Sequence, residues 1–257
     1  MKPISNYVVL KIRVKNDIVT FGDLTLWLDT TYSNSHTSVN CEVVAVPNKL
    51  KFSQDLPPDV SMPHKTDMEL QVGDEVIVRY ISVINALDPE NPMNTTVDGE
   101  VHILVPYQDI VVAKRKWTKT EVDMFEKVNI NYTIEQLEQE NVIKTKQGYF
   151  TVIPLNGIIL CEPIPQEFKT KLIIPDYLKK AAQKDIVKVR FVGKPNQEYW
   201  GNVWVGDDPC LKNGMFVIVD KDTDIPLESS EHLSFYDDQR FWRIEWKLIH
   251  GIYEKTA

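Results

Sequence analysis

The chain has 257 residues, 43% of them hydrophobic and 10% aromatic, and its 37 acidic residues against 29 basic ones give a net charge of −8. This composition supplies one large or two small buried cores. It excludes the concentrated basic face that nucleic-acid binding requires, and no apolar run approaches the ~20 residues of a membrane-crossing helix.

The first predicted element follows Tyr7, where Leu10, Ile12 and Val14 alternate with Lys11, Arg13 and Lys15 as a half-buried strand does. The same basic residues interrupt the apolar positions of a secretory leader, so the chain is expected in the cytoplasm. Residues 16–40 follow no single period. They contain a short apolar tip, Leu24-Thr25-Leu26-Trp27-Leu28, preceded by Gly22-Asp23 and followed by a polar run. The next strand is expected at Cys41-Glu42-Val43-Val44-Ala45-Val46. Pro57, Pro58 and Pro63 then remove backbone donors, so residues 47–71 read as an irregular loop. Its His64 has no second ligand at metal spacing.

Residues 70–116 contain two strand-like runs around a turn-rich insertion. Val72-Gly73-Asp74 is a turn that opens the first run, Glu75 to Tyr80; the second, 101–105, passes through Pro106 and the polar Gln108-Asp109 into Ile110-Val111-Val112. β-Branched residues bounded by Gly, Asp and Pro are the ordinary form of short antiparallel strands. Lys114-Arg115-Lys116, which ends this region, reads as a solvated turn.

Between residues 117 and 148 the pattern becomes helical. Thr118 with Glu121 and Thr133 with Gln136 are two capping-box patterns, the first followed by Val122, Phe125 and Val128 and the second by Ile134 and Leu137. From residue 149 the order of the first half returns. Asn156-Gly157-Ile158-Ile159-Leu160-Cys161 answers the first strand, and Lys171-Leu172-Ile173-Ile174-Pro175 answers the apolar tip. Residues 186–195, with Gly193, answer the strand after Cys41; 211–219 answer the turn and strand at 70–78, and 242–253 answer the last strands. Trp242, Ile244, Trp246 and Leu248 alternate with charged residues as core positions do. Tyr199, Trp200 and Trp204 flank a turn at Gly201-Asn202 and are expected to form a small satellite cluster.

The three cysteines, Cys41, Cys161 and Cys210, are odd in number and widely spaced, which favours buried thiols over a disulfide framework. Asp220, Asp222, Asp224 and Glu231 have the spacing of a calcium loop, but Ile225 and Pro226 occupy its glycine turn, so a solvated acidic hairpin is expected. No serine-hydrolase elbow, zinc-protease motif, phosphate loop or dinucleotide turn is present.

The turn Val72-Gly73-Asp74 before a strand, and the passage through Gln108-Asp109 into Ile110-Val111-Val112, resemble the GroES-like (chaperonin-10) co-chaperonin family, and the repeated order extends the resemblance to a divergent tandem duplication. The resemblance implies a mainly β fold: two GroES-like β-barrel domains, residues 1–116 and 149–257, joined by a short helical connector, 117–148. It implies that apolar loop tips, Leu24, Leu26, Trp27 and Leu28 in one half and Leu172, Ile173 and Ile174 in the other, dock on a large chaperonin ring. It further implies a homo-oligomer built by pairing terminal strands, with no catalytic set, metal or cofactor, hence no enzyme. For both tips a strand buried in the core is the alternative; Leu24, Leu26 and Leu28 would then share one face, with Trp27 on the other. The alternative function is a structural or assembly protein, for example of a phage particle and so located in the virion, that reuses the duplicated fold without binding a chaperonin.

Overall fold

Runs of β-branched and aromatic residues separated by Gly, Asn and Pro favour strands, and the computed structural model is mainly β, with two large antiparallel sheets. It describes residues 2–3, 5–12, 18–21, 24–27, 39–52, 62, 64–88, 90, 93–128, 133–145, 147–165, 182–194, 196–198, 204–205, 211–219, 225–226 and 241–253.

In the first half, β1 (Tyr7–Ile12), β2 (Ile18–Phe21), β3 (Leu24–Trp27), β4 (Val39–Ala45), β5 (His64–Lys65) and β6 (Glu75–Val78) lead to the helix α1 (Tyr80–Leu87). After it come β7 (Asn94–Val97), β8 (Glu100–Pro106) and β9 (Ile110–Lys116). The middle of the chain holds α2 (Lys119–Val128), α3 (Ile134–Gln139), β10 (Val142–Thr145) and β11 (Gly148–Pro154). The second half contains β12 (Ile158–Pro165), β13 (Ala182–Val192), β14 (Asn196–Glu198), β15 (Trp204–Val205), β16 (Phe216–Val219), β17 (Ile225–Pro226), β18 (Trp242–Glu245) and β19 (Ile249–Tyr253).

The eight-stranded sheet has the order β10-β11-β9-β6-β4-β1-β8-β7, and the six-stranded sheet, taken from its far edge, β19-β16-β13-β12-β18-β17. Without β10 and β11 the two orders are the same. In each half the first strand pairs with the next long strand on one side and with a late strand on the other. The long strand pairs in turn with β6 or β16, and that strand with β9 or β19.

Local irregularities recur with the order. The register shifts at Val9/Leu10 and again at Leu160/Cys161, and at Ile77/Val78 and again at Ile218/Val219. Gly73 at φ 92° and Gly214 at φ 90° take the left-handed conformation that glycine adopts without a Cβ penalty. Their amides donate to Val43 O at 2.8 Å and Val189 O at 2.7 Å. One-turn 3-10 helices, Tyr107–Asp109 and Trp246–Leu248, follow β8 and β18. The Tyr107 amide donates to Asn6 O and the Trp246 amide to Gly157 O, at 2.8 and 3.1 Å.

Several sequence expectations are corrected. The strand expected through Tyr80 stops at Val78, and the insertion begins with α1. Ile81, Val83 and Ile84 are β-branched, but Val83 and Ala86, three residues apart, are buried in the first core with Val8, Ile103 and Val105, so packing overrides propensity. Lys114-Arg115-Lys116 is strand, not solvated turn: Lys114 is 5% exposed, bonded to Glu75 at 3.2 Å and lying 4.2 Å over the Phe150 ring. β1 is not simply half-buried either, because Val8, Val9 and Leu10 are all covered. Val14 lies outside the described residues.

Both expected capping boxes are made. Thr118 N donates to Glu121 Oε2 at 2.6 Å, and Thr133 N donates to Gln136 Oε1 at 2.9 Å, satisfying amides at the helix starts. The Thr118 bonds hold the Glu121 carboxyl below its ordinary range. Val122 and Phe125 of α2 pack with Trp117 on Leu137, Val142 and Tyr149. The residues expected as connector also supply β10 and the first residue of β11, which pairs with β9 from Phe150↔Lys116 to Pro154↔Val112.

Three cores result. One fills the first half around Leu10, Ile103 and Tyr107, and another fills the second around Ile159, Val189 and Ile244. A third joins Ile77, Val111 and Val112 of the first half and Phe150 and Val152 of β11 to Ile158, Leu160, Phe191 and Phe241 of the second. Gly193 sits where the chain crosses between them. A Cβ there would lie 2.4 Å from Ile158 O and 2.7 Å from Pro154 O, both backbone atoms. Gly193→Ala should therefore destabilise the chain by about 1–3 kcal/mol, as overpacking does, seen as a lower denaturant midpoint. An unchanged midpoint would show that this crossing is loosely packed.

Candidate functional site

Each half has an apolar segment at the same place in its strand order. Residues 13–38 intervene between β1 and β4, and 166–181 between β12 and β13. In the first, β2 and β3 form a two-stranded ribbon with Phe21 opposite Leu24, Thr20 opposite Thr25, Val19 opposite Leu26 and Ile18 opposite Trp27. Among the described residues this ribbon is hydrogen-bonded into neither large sheet. Leu24, Leu26 and Trp27 are positions of β3. Leu28 lies outside the described residues, as do Leu172, Ile173 and Ile174. In the second half Pro165 pairs with Ala182, so the segment between them leaves and returns at adjacent positions.

The second constellation is polar and lies where the halves meet. Asp74, 2% exposed, accepts from Arg115 Nε and Nη2, both at 2.8 Å, and from the Gln71 amide at 2.8 Å. Arg115 Nη2 also donates to Glu69 O at 2.7 Å. The Asp74 carboxylate raises the already high pKa of the guanidinium. Tyr107 donates its hydroxyl proton to Asp67 O at 3.2 Å, and Lys194 of the second half reaches Glu69 Oε2 at 3.5 Å. Nearby, β5 pairs with β14 and β14 with β15, so a small three-stranded sheet also joins the halves. Its β14–β15 pair flanks the expected turn at Gly201-Asn202; Tyr199 and Trp200 lie outside the described residues. Residues 47–71 contribute only β5 and a Phe52↔Met62 bridge among the described residues.

A third set is built from amides. Asn141, at φ 59°, donates through Nδ2 to Val192 O at 2.8 Å and accepts at Oδ1 from the Val192 amide at 3.3 Å and Asn213 Nδ2 at 3.0 Å. Gln139 Nε2 donates to Asn213 O at 2.7 Å. Asn156 Nδ2 donates to both Tyr107 O and Ile110 O, at 3.0 and 2.9 Å. The Asn-Gly dipeptides at 156 and 213 signal turns in the sequence. Nothing local in it signals the reach of Asn141 to Val192, or of Arg115 to Asp74.

These groups hold backbone in place. Burial pushes the Cys41 thiol up to about 12 and raises Cys161 as well, so neither is a thiolate nucleophile near neutral pH. Cys210 and the acidic residues 220–224 and Glu231 lie outside the described residues. Among the described residues no cluster of three or more His, Cys, Asp or Glu side chains could hold a metal ion, and no helix is long and apolar enough to cross a membrane. No family model matches the chain, and no curated protein matches it.

Burial, opposed by Lys194, raises the Glu69 carboxyl above its ordinary 4.5. The folded state thus holds this proton more tightly than the unfolded state, and wild-type stability falls as pH rises from the unfolded pKa through the folded one. Glu69→Gln removes that loss. Its stability relative to wild type should increase as pH is raised from 4 to 7 in denaturant titrations. A relative stability that declines over the same range would mean that Lys194 more than offsets the burial.

Proposed function

We propose that this chain is a tandem co-chaperonin-like protein that docks on a large chaperonin ring through apolar segments and assists folding without an active site of its own. Each six-strand unit is read as a GroES-like barrel of a duplicated chain. The observation that carries the reading is the repeat itself: two sheets with one strand order, each with an apolar segment between its first strand and its next long strand. The tips are Leu24, Leu26, Trp27 and Leu28 in the first half and Leu172, Ile173 and Ile174 in the second. Short apolar tips bind weakly one at a time, and several copies held together restore affinity by avidity. The same reading makes the chain a homo-oligomer, because both its sheets end in strands that another chain can extend.

The test uses the full chain and a purified large chaperonin ring, with complex formation followed by surface binding. Replacing Ile173 and Ile174 by Ser should weaken binding by at least about tenfold, as loss of apolar anchors does, and leave the thermal midpoint unchanged. A drop in midpoint would instead mark these residues as core, at about 2 kcal/mol or more per site. A folded double variant that binds like wild type would discard the docking role, and a wild-type chain that never binds the ring would favour the assembly-protein alternative.

A further inference from the structure

The chain contains two Asn-Gly pairs, Asn156-Gly157 and Asn213-Gly214. In such a pair the glycine backbone nitrogen can attack the side-chain amide carbon of the asparagine, because glycine has no Cβ to obstruct the approach. The side-chain nitrogen then leaves as ammonia. Water is the only co-reactant, but the two groups must be free to turn toward each other.

At 213 the fold withholds that freedom. Gly214 N, the attacking atom, donates to Val189 O at 2.7 Å. Asn213 Nδ2, the leaving atom, donates to Asn141 Oδ1 at 3.0 Å, and Asn213 O accepts from Gln139 Nε2 at 2.7 Å. Asn213 is 8% exposed. The restraint on its side chain thus comes from outside the turn, from the end of α3 and the residue before β10. Asn141 is fixed in turn, donating Nδ2 to Val192 O at 2.8 Å and accepting from the Val192 amide at 3.3 Å. The matching turn of the first half holds Gly73 N on Val43 O in the same way, but the residue before it is Val72, which has no amide to lose.

The pair at 156 is held by other bonds. Asn156 Nδ2 donates to Tyr107 O and Ile110 O, so opening the clasp at 213 breaks none of its contacts. Conversion at 213, by contrast, damages the clasp itself. A carboxylate there has no proton to give, and two acceptors would face each other across the former Asn213–Asn141 bond. Turning the Asn141 amide over would mend that contact only by pointing Oδ1 at Val192 O and Nδ2 at the Val192 amide.

We propose that Asn213-Gly214 is a deamidation site held inert by the clasp of Gln139 and Asn141, and that its conversion makes an opening of the clasp permanent. When the clasp opens, Gly214 N gives up its proton to solvent base and bonds to Asn213 Cγ. The Cγ–Nδ2 bond breaks and the nitrogen departs as ammonia. Water then opens the cyclic imide at either carbonyl, leaving aspartate or isoaspartate at 213. The isoaspartate form adds a methylene to the backbone of a turn that sets Gly214 at φ 90°. The proposal is independent of partner docking.

The test is peptide mapping of the full chain by mass spectrometry after incubation at mildly alkaline pH, with Asn156 as the internal reference. Both pairs should convert in denaturant, and both should persist in the folded wild type. Asn141→Ala should speed conversion at 213 at least about tenfold, since it removes three bonds that oppose opening, and leave 156 unchanged. Gln139→Ala, which trims an exposed side chain by one bond, should act in the same direction to a smaller extent. Asn213→Asp should lower the thermal midpoint in the wild type and add little to Asn141→Ala. Folded wild type that converts at 213 as fast as denatured chain overturns the protection, and so does a variant set in which 213 stays intact. Equal conversion at 156 and 213 in Asn141→Ala would mark global unfolding and overturn local control by the clasp. An unchanged midpoint for Asn213→Asp overturns the permanence of the opening.

Discussion

The structure depends on the pairing of β11 with β9 and on the apolar layer that this pairing brings together. β11 extends the first sheet and then turns at Asn156-Gly157 into β12, the first strand of the second sheet. One short stretch of chain therefore belongs to one half by hydrogen bonding and leads into the other by covalent connection. Phe150, Val152, Ile158, Phe191 and Phe241 are buried along it, and each such side chain contributes about 1.5–3 kcal/mol relative to exposure. Close packing leaves no room for a methyl group on Gly193, and Asn141 and Asn156 satisfy backbone carbonyls that the crossing would otherwise strand.

Much of the strand order was legible because the halves carry matching local signals. Val72-Gly73-Asp74 and Asn213-Gly214-Met215 both require a left-handed glycine before a strand. Trp242, Ile244 and Trp246 alternate as the buried side of a strand and the turn after it, a period of two that sequence displays directly. Both capping boxes were visible for the same reason: their partners are three residues apart.

What was not legible depends on distance along the chain or on packing. Tyr80, Ile81 and Val83 have strand propensity, yet the short span between β6 and β7 folds as α1, placing Val83 and Ala86 on the first core. Lys114 and Arg115 look solvated in sequence because their partners Glu75 and Asp74 lie far back in the chain. The expected boundary before residue 149 falls inside β11, a strand that joins the first sheet, since register across a sheet is a tertiary property. Of the candidate tips, Leu24, Leu26 and Trp27 lie in the ribbon strand β3. The apolar composition of these segments was plain in the sequence.

Native-state hydrogen exchange tests most directly the claim that the two repeated sheets form one structure through a shared core. The amides of β9, β11, β12 and β13 are expected to exchange from a common opening, with one free energy and one denaturant dependence, because the layer between the sheets cannot part without exposing both. Exchange of β12 and β13 through a cheaper opening that leaves β1, β4 and β9 fully protected would contradict the account, since the halves would then be independent units joined only by chain.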